Sequence, residues 1–291
     1  MDSRRRKITM NRRKLEEKFF KILMLVSMWV VLGSLVLILA TVVARGLPAL
    51  NLDMLTQTPK GGYYLGKEGG ILNAIVGSLY LAGGGTVLAL IASLPIAFYL
   101  QIYAVGSRRV ELARLALDVL WGVPSIVYGA FGFILMLWLG MRASLLAGII
   151  TLALLELPIM ARAMDEAIAM VPPALKEASY ALGATRLETG LKVIVRQTAP
   201  GLLTAILLAF GRGIGDAASV LFTAGYTDRL PDSLLSPAAS LPLAIFFQLG
   251  TPFPAVQDRA YASALVLTVL VLALSLISRR LAGRLTKNII R

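Results

Sequence analysis

The sequence predicts an all-α membrane protein with six transmembrane helices, and three observations support this fold class. Of the 291 residues, 57% are hydrophobic and only 15% are charged, whereas soluble domains average about 25% charged residues. The mean hydropathy is +0.78. Several uncharged stretches approach or exceed the roughly 20 residues with which a helix crosses a bilayer. Because lipid cannot hydrogen-bond the backbone, such stretches are best satisfied as helices rather than as the alternating strands of a β-barrel.

The apolar segments place the six spans in order. We expect them at 22–44, within 69–107, and at 115–139, 143–164, 200–225 and 260–278. The first is longer than the apolar region of a signal peptide, about 7–15 residues, so we interpret it as an uncleaved anchor. The stretch 69–107 has 39 residues, which suits one span with a bent or interfacial part.

Lysine and arginine predict the orientation of the spans. Of the 29 basic residues, 21 fall on the face that carries both termini, six fall on the opposite face, and two, Arg162 and Arg212, lie within spans. The positive-inside rule therefore places both termini in the cytoplasm. The net charge of +13 then reflects topology and attraction to anionic lipid rather than to nucleic acid.

The same pattern divides the chain into three parts. A basic cytoplasmic tail covers residues 1–21, a membrane domain covers 22–282, and a second cytoplasmic tail covers 283–291.

Cysteine and histidine are both absent, which excludes disulfides, thiol chemistry and histidine metal sites. We therefore predict no metal site.

A polar segment at 172–199 separates the fourth and fifth predicted spans. Pro172 and Pro173 favour a helix start, because the first turn does not need their N–H groups. Gly183 follows ALKEASYAL, at the position where helices commonly end on glycine. TRLETGLKVIV then predicts a second helix that leads back to the membrane. Such a hairpin can dock in a groove on another protein, although composition alone favours a solvated connector.

This hairpin carries a motif with the pattern E-A-A-x3-G-x9-I-x-L-P. Its first four defined positions are matched by Glu177, Ala178, Ser179 and Gly183, with Ser for the second Ala. Val193 and Val195 stand at the later apolar positions, and Arg196 replaces the proline. The segment resembles the EAA loop of ABC-importer permeases, which forms a coupling helix that rests in a cleft of the cytoplasmic ATPase. The resemblance implies the same coupling role for these four residues.

Further stretches resemble the phosphate-specific members of that family. WGVPSIVYGAFG, at 121–132, is similar to their third-span signature, and its Gly and Pro predict a bent or broken helix. The stretches 161–186 and 206–225 resemble permeases of the PstA type. SLPLAIF and its spacing to the last span favour that type over its sister, PstC. The resemblance covers most of residues 70–280.

The resemblance also implies the fold, the membrane and the partner subunits of the chain. The fold would be that of a type I (MetI-like) ABC importer permease in a prokaryotic plasma (inner) membrane. Its partners would be a PstC-like permease, two copies of a PstB-like ATPase and an external PstS-like phosphate-binding protein. ATP and Mg²⁺ would bind the ATPase, and this chain would hold no cofactor and catalyse no reaction.

Two intramembrane arginines are the candidate substrate-pathway residues. Arg162 and Asp165 are three residues apart, and Arg212 and Asp216 are four apart, so each pair is expected on one helix face. Charged groups within spans are costly and usually face a cavity or a partner. Arginine offers a planar fork of donors that suits phosphate oxygens. The resemblance points to the same four positions, although the family often has Glu where this chain has Asp165 and Asp216.

Several alternatives remain open from the sequence. The two pairs also fit structural ion pairs between helices, and we interpret Glu156 as a residue that caps or bends the fourth helix. The chain could serve another oxyanion, take the PstC role, act as a passive channel or secondary carrier, or be a membrane scaffold. GGYYLGKE, at 61–68, nearly matches a P-loop, but Glu68 replaces the required hydroxyl residue. We expect that loop outside the cell, where it would meet a binding protein.

Overall fold

The computed structural model of the chain describes residues 2–60, 68–104 and 106–285. Within them, five helices are long and apolar enough to cross a membrane, and the number rises to six when one bent pair of helices counts as a single span. The predicted helical fold with six spans is therefore confirmed. The P-loop-like loop falls mainly on residues 61–67 and the end of the C-terminal tail on 286–291, both outside the described residues.

The described residues up to Gly122 contain four helices, two short strands and one π-helical turn. They are α1 (Asp2–Ala49), α2 (Leu52–Thr56), β1 (Pro59–Lys60), β2 (Glu68–Gly69), α3 (Leu72–Phe98), the π-helical turn Tyr99–Tyr103 and α4 (Arg108–Gly122). The strands pair antiparallel. The π-helical turn continues α3, so the stretch 69–107 supplies one span, as expected.

The second part begins with α5 and ends with the longest helix after α1. It contains α5 (Ser125–Trp138), α6 (Leu145–Ala169), α7 (Pro173–Ala181), α8 (Arg186–Glu188), the π-helical turn Thr189–Ile194, α9 (Val195–Ile214), α10 (Leu241–Leu249) and α11 (Pro254–Leu285). α11 packs on the end of α1, where Arg45 lies 5.1 Å above the ring of Tyr261.

The predicted third span is broken in the middle. α4 and α5 meet at an angle of 99° across Val123 and Pro124. Val123 is extended, with φ −69° and ψ 130°, because the ring of a following proline disfavours the helical conformation. The break that Gly122 and Pro124 predicted is confirmed, and it divides the span 115–139 into two helices of different direction.

α6 is the central helix, and its most extensive packing is against α3. Two of the three consecutive glycines of α3 allow this approach. A Cβ on Gly84 would lie 2.6 Å from Ile149, and one on Gly85 would lie 2.9 Å from Leu152. α9 packs on α6 as well, so α3, α6 and α9 enclose the main core.

The predicted fifth span, 200–225, is wrong at its C-terminal end. α9 stops at Ile214, and the chain continues in turns that are partly buried. Glycines weaken a helix because they lose most backbone entropy on folding, and this end of α9 has Gly at 211, 213 and 215. The carboxylate of Asp216 then accepts a hydrogen bond from the N–H of Ser219 at 2.8 Å, which stabilises a turn instead of a helix.

The hairpin between α6 and α9 forms as predicted. α7 begins with Pro173 and is followed by Gly183, whose φ of +82° favours glycine. Thr185 and Glu188 form a reciprocal capping box at the start of α8, which satisfies two otherwise unpaired N–H groups. α8 continues through the π-helical turn into α9, so a stiff path leads from the hairpin to the membrane-spanning helix.

Candidate functional site

Arg162 and Asp165 lie on one face of α6, as their spacing predicted. Arg162 Nη1 is 3.0 Å from Asp165 Oδ2. The Asp165 side chain is only 1% exposed, whereas that of Arg162 is 23% exposed. A buried carboxylate needs several donors to remain charged, so the pair alone does not explain this position.

The additional donors come from two other segments. Arg114, on α4, makes a bidentate contact with Asp165, from Nε at 2.8 Å and from Nη2 at 3.1 Å. Gln101, in the first π-helical turn, donates to Asp165 Oδ1 at 2.7 Å. The sequence analysis missed both residues. It counted Arg114 only toward the orientation of the spans. The available signal was that Arg114 lies on the helix just before the predicted break.

Arg162 is shared in turn among three carboxylates. Its Nε donates to Asp118 of α4 at 2.8 Å, and its Nη2 is 3.6 Å from Glu166. We call Arg114, Asp118, Arg162, Asp165 and Glu166 the α4–α6 ion-pair network. With two cations and three anions, it leaves Arg162 fully occupied in this conformation.

Arg212 and Asp216 differ from the geometry that their spacing predicted. Asp216 lies beyond the end of α9 rather than on the same helix face. The closest atoms, Arg212 Nη2 and Asp216 Oδ2, are 3.8 Å apart, and the side chain of Arg212 is 53% exposed while that of Asp216 is 7% exposed. The arginine is therefore loosely held, because its acidic neighbour is committed to the turn at Ser219.

Arg212 lines a cavity of about 270 Å³ between α4, α6 and α9. The other lining residues are apolar: Leu120, Trp121, Leu155, Ile159 and Leu208. A guanidinium surrounded by apolar side chains experiences a lower effective dielectric constant than in water, and this strengthens its attraction for an anion. This cavity is therefore a candidate anion site.

A second, larger groove of about 500 Å³ begins beside the first cavity. Leu208 lines both. The groove follows α6 and α9 toward the hairpin and is lined mainly by small residues, among them Ala163, Ala167 and Gly201, with Glu166 at its side. The two cavities are therefore neighbours that meet at Leu208 of α9.

Glu156 is fully buried where α3, α6 and α9 meet. Thr86 of α3 donates to its Oε2 at 2.7 Å, and Oε1 has no hydrogen-bond partner among the described residues. A Cβ on Gly213 of α9 would overlap Oε1 and lie 3.0 Å from Cδ. Of the two expected roles of Glu156, capping of α6 is wrong, because Ser144 is the N-cap; bending of the helix is not tested, and Glu156 fills a junction of three helices.

The tightly packed glycine of α9 is Gly213. Gly211 and Gly215 have the G-x3-G spacing that is typical of close helix packing, but outside its own turn of helix no described atom lies within 4 Å of a Cβ on Gly211. Only the carbonyl of Gly211 approaches a Cβ on Gly215, at 3.7 Å. Gly213, on the opposite side, makes the tight contact.

The four predicted coupling residues have three different environments. Glu177 and Ala178 are exposed. Ser179 is buried, and its hydroxyl is 2.9 Å from that of Thr189 in the second helix, which braces the hairpin. Gly183 makes the turn. Leu182 beside it is 90% exposed, an apolar contact surface that the motif comparison did not identify.

The second helix of the hairpin begins with a strong electrostatic cap. The N–H and hydroxyl of Thr185 both donate to Glu188, and Lys192 lies 3.3 Å from the same carboxyl group. These contacts lower the pKa of Glu188 to about 2. Because the folded pKa is depressed, the cap is fully formed above the ordinary pKa of a glutamate and is lost only as the pH falls through about 2.

The architecture resembles that of chains in known ABC transporters. One similar chain belongs to the inward-facing MetNI methionine ABC transporter, with a TM-score of 0.62 and 19% identity over 74% of this chain and 95% of that one. Another belongs to a bacterial alginate ABC transporter, with a TM-score of 0.64 and 14% identity over 95% of this chain and 98% of that one. The fold is thus that of an ABC-transporter permease of the MetI-like type.

The sequence also matches a family described as "Binding-protein-dependent transport system inner membrane component" over residues 85–291. The chain belongs to this family of multi-pass membrane proteins. A phosphate transport system permease protein PstA of Haemophilus influenzae is 34% identical over 268 residues, which cover 92% of this chain and 94% of the relative. A PstA 1 of Mycobacterium tuberculosis is 36% identical over 270 residues, 91% of this chain and 88% of the relative.

Proposed function

We propose that the chain is a permease subunit of an ATP-driven importer and forms half of the pathway for inorganic phosphate across the prokaryotic plasma membrane. The observation that carries this proposal is the half-exposed guanidinium of Arg212 in an otherwise apolar cavity between membrane helices. The names of the relatives support phosphate as the substrate. Membership of the binding-protein-dependent family supports the importer role.

The chemistry of Arg212 suits this substrate. Arginine stays protonated at any physiological pH and presents several N–H donors in one plane, which match two oxygens of a phosphate. The loose contact with Asp216 leaves those donors available. A protonated phosphate oxygen can also donate to a neighbouring carboxylate, which a fully ionised anion cannot do. Arg212 would thus receive the anion and Asp216 would favour its protonated form.

Arg162 would act after Arg212. Its donors are occupied by the α4–α6 ion-pair network in this conformation, so it binds an anion only when that network opens. Alternating access requires sites that bind the substrate weakly enough to release it. A carboxylate of the protein that competes for Arg162 lowers the affinity of this site for the anion. The predicted pathway residues Arg162, Asp165, Arg212 and Asp216 would therefore form two sites in series.

The partners follow from the importer role. The second half of the pathway would come from a PstC-like permease, and phosphate would be delivered by an external binding protein of the PstS type. Two copies of a PstB-like ATPase would bind ATP and Mg²⁺ and receive the hairpin of α7 and α8. ATP binding would close the ATPases and move the hairpins, the spans would open outward, and hydrolysis would return them inward.

The test is phosphate uptake by the reconstituted complex carrying Arg212→Gln. Loss of the guanidinium removes charge-assisted hydrogen bonds that contribute about 1.5–3 kcal/mol each, so uptake should fall by at least about ten-fold. The complex should still assemble, because Arg212 is loosely paired. Arg229→Gln, which removes an exposed arginine from the loop after α9, is the matched control.

Competition among oxyanions separates the alternatives. Phosphate and arsenate should compete for uptake, whereas sulfate and molybdate should not. Wild-type rates in Arg212→Gln would refute the pathway assignment. Preferential uptake of sulfate or molybdate would show that the chain serves that oxyanion instead of phosphate. Uptake that continues without the ATPase would indicate a channel or secondary carrier.

A further inference from the structure

The two cavities and the ion-pair network follow one another along α6. Leu155 and Ile159 line the Arg212 cavity, and Ala163 and Glu166 line the larger groove. Arg162 falls between these two sets of residues. Since a helix rises 1.5 Å per residue, Arg162 is about one turn beyond the Arg212 cavity on the way to the hairpin.

Asp118 occupies the corresponding place on α4. Leu120 and Trp121, two and three residues further along that helix, line the Arg212 cavity, while Asp118 itself contacts Arg162 at 2.8 Å. The Arg162–Asp118 pair therefore stands between the two cavities. An anion that moves from the cavity to the groove along α6 meets this pair.

The two carboxylates that hold Arg162 most closely differ in freedom. Asp165 is buried and receives hydrogen bonds from Arg114, Gln101 and Arg162. Asp118 is 48% exposed and lies on the short helix that ends at the 99° break. Asp165 is therefore a fixed counter-ion, whereas Asp118 can leave Arg162 and return without breaking a buried cluster.

We propose that Asp118 is a positioning residue for transport that competes with the anion for Arg162 and so drives its release into the groove. This inference rests on the proposed function. When α4 moves away, Arg162 offers its Nε and Nη donors to the anion. When α4 returns, the Asp118 carboxylate takes the Nε donor again, and the anion loses that hydrogen bond and meets a like charge.

The competition predicts an effect that simple loosening of the structure does not. Asp118→Asn keeps the size of the side chain but removes the charge that displaces the anion. Exposed ion pairs contribute up to about 1 kcal/mol, so release of phosphate should slow by roughly five-fold. A purely structural role for Asp118 predicts unchanged or faster release, because a loosened α4 would open the site.

The experiment uses the whole complex in nanodiscs, with the active ATPase. Radiolabelled inorganic phosphate is loaded through the binding protein with ATP in the absence of Mg²⁺, and its dissociation is followed during one turnover after added Mg²⁺ starts hydrolysis. Turnover is measured with the active ATPase in proteoliposomes. Asp118→Asn should show slower dissociation and a matching fall in turnover, and Asp118→Glu should restore both toward the wild-type values.

Glu111→Gln is the control, since it removes an exposed carboxylate from the same helix and should change neither rate. Unchanged or faster dissociation in Asp118→Asn would overturn the inference. If that variant does not assemble, Asp118→Ala gives a second neutral substitution with the same expectation. A wild-type complex that binds no phosphate would instead refute the proposed function, so the two failures are distinguishable.

Discussion

Gly213→Ala is the sharpest test of the three-helix junction around Glu156. The added Cβ would overlap Glu156 Oε1 and lie 3.0 Å from Cδ. Glu156 is fully buried and tethered to Thr86, so it cannot swing into open space. Overpacking of this kind costs about 1–3 kcal/mol. The general gain from replacing a helical glycine, about 0.4–1 kcal/mol, offsets only part of that loss.

Gly211→Ala provides the matched control, two residues earlier in the same helix. Outside its own turn of helix, no described atom lies within 4 Å of the added Cβ, so only the favourable backbone effect remains. The difference between the two variants isolates the overlap with Glu156 and should equal about 1–3 kcal/mol. For a chain of this size, that corresponds to several degrees in the apparent Tm.

The assay is thermal unfolding of the full chain purified in detergent, at one heating rate for all variants. Glu156→Asp, which shortens the side chain by one methylene, should restore part of the stability of Gly213→Ala, giving a non-additive double-mutant cycle. Equal Tm values for Gly213→Ala and Gly211→Ala would refute the reasoning. Strict additivity with Glu156→Asp would show that the overlap lies elsewhere.

Two further predictions concern the ion-pair network and the hairpin. Asp165→Asn should destabilise the chain by about 2 kcal/mol, because it leaves the partly buried Arg114 and Arg162 without their shared counter-ion. Glu166→Gln, which removes a 61% exposed partner at 3.6 Å, should cost less than about 1 kcal/mol, and equal unfolding temperatures would contradict this ranking. Gly183→Ala should strain the left-handed turn at φ +82° by about 1–2 kcal/mol and weaken co-purification of the ATPase. Normal ATP-driven uptake in that variant would count against the coupling role.

Local sequence signals predicted the hairpin well because its ends are set by residues with restricted backbones. Two prolines fixed the start of α7, and a glycine fixed its end. The end of α9 was predicted incorrectly because hydropathy continues through Val220 and Ala224, which are buried in turns rather than in a helix. Hydropathy reports burial or contact with lipid, but it does not report backbone conformation.

The candidate site was predicted only in part for a related reason. Arg162 and Asp165 lie on one helix, so their spacing in the sequence was enough to predict that they share a face. The contacts with Gln101, Arg114 and Asp118 join three separate segments, and they depend on how α4 turns at Val123. Such contacts between distant segments leave no short-range pattern in one sequence. The roles of these residues in transport remain predictions for the experiments above.

The break between α4 and α5 has a consequence for the surrounding lipid. α5 has 14 residues, which extend about 21 Å along its axis, whereas the hydrocarbon layer is about 30 Å thick. A helix shorter than the hydrocarbon layer is accommodated by local thinning of the bilayer, so we expect thinner lipid beside α5. Such thinning would bring water closer to the adjoining α4 and lower the cost of placing Arg114 and Asp118 there. The shortness of α5 would then be what allows charged residues on its neighbour.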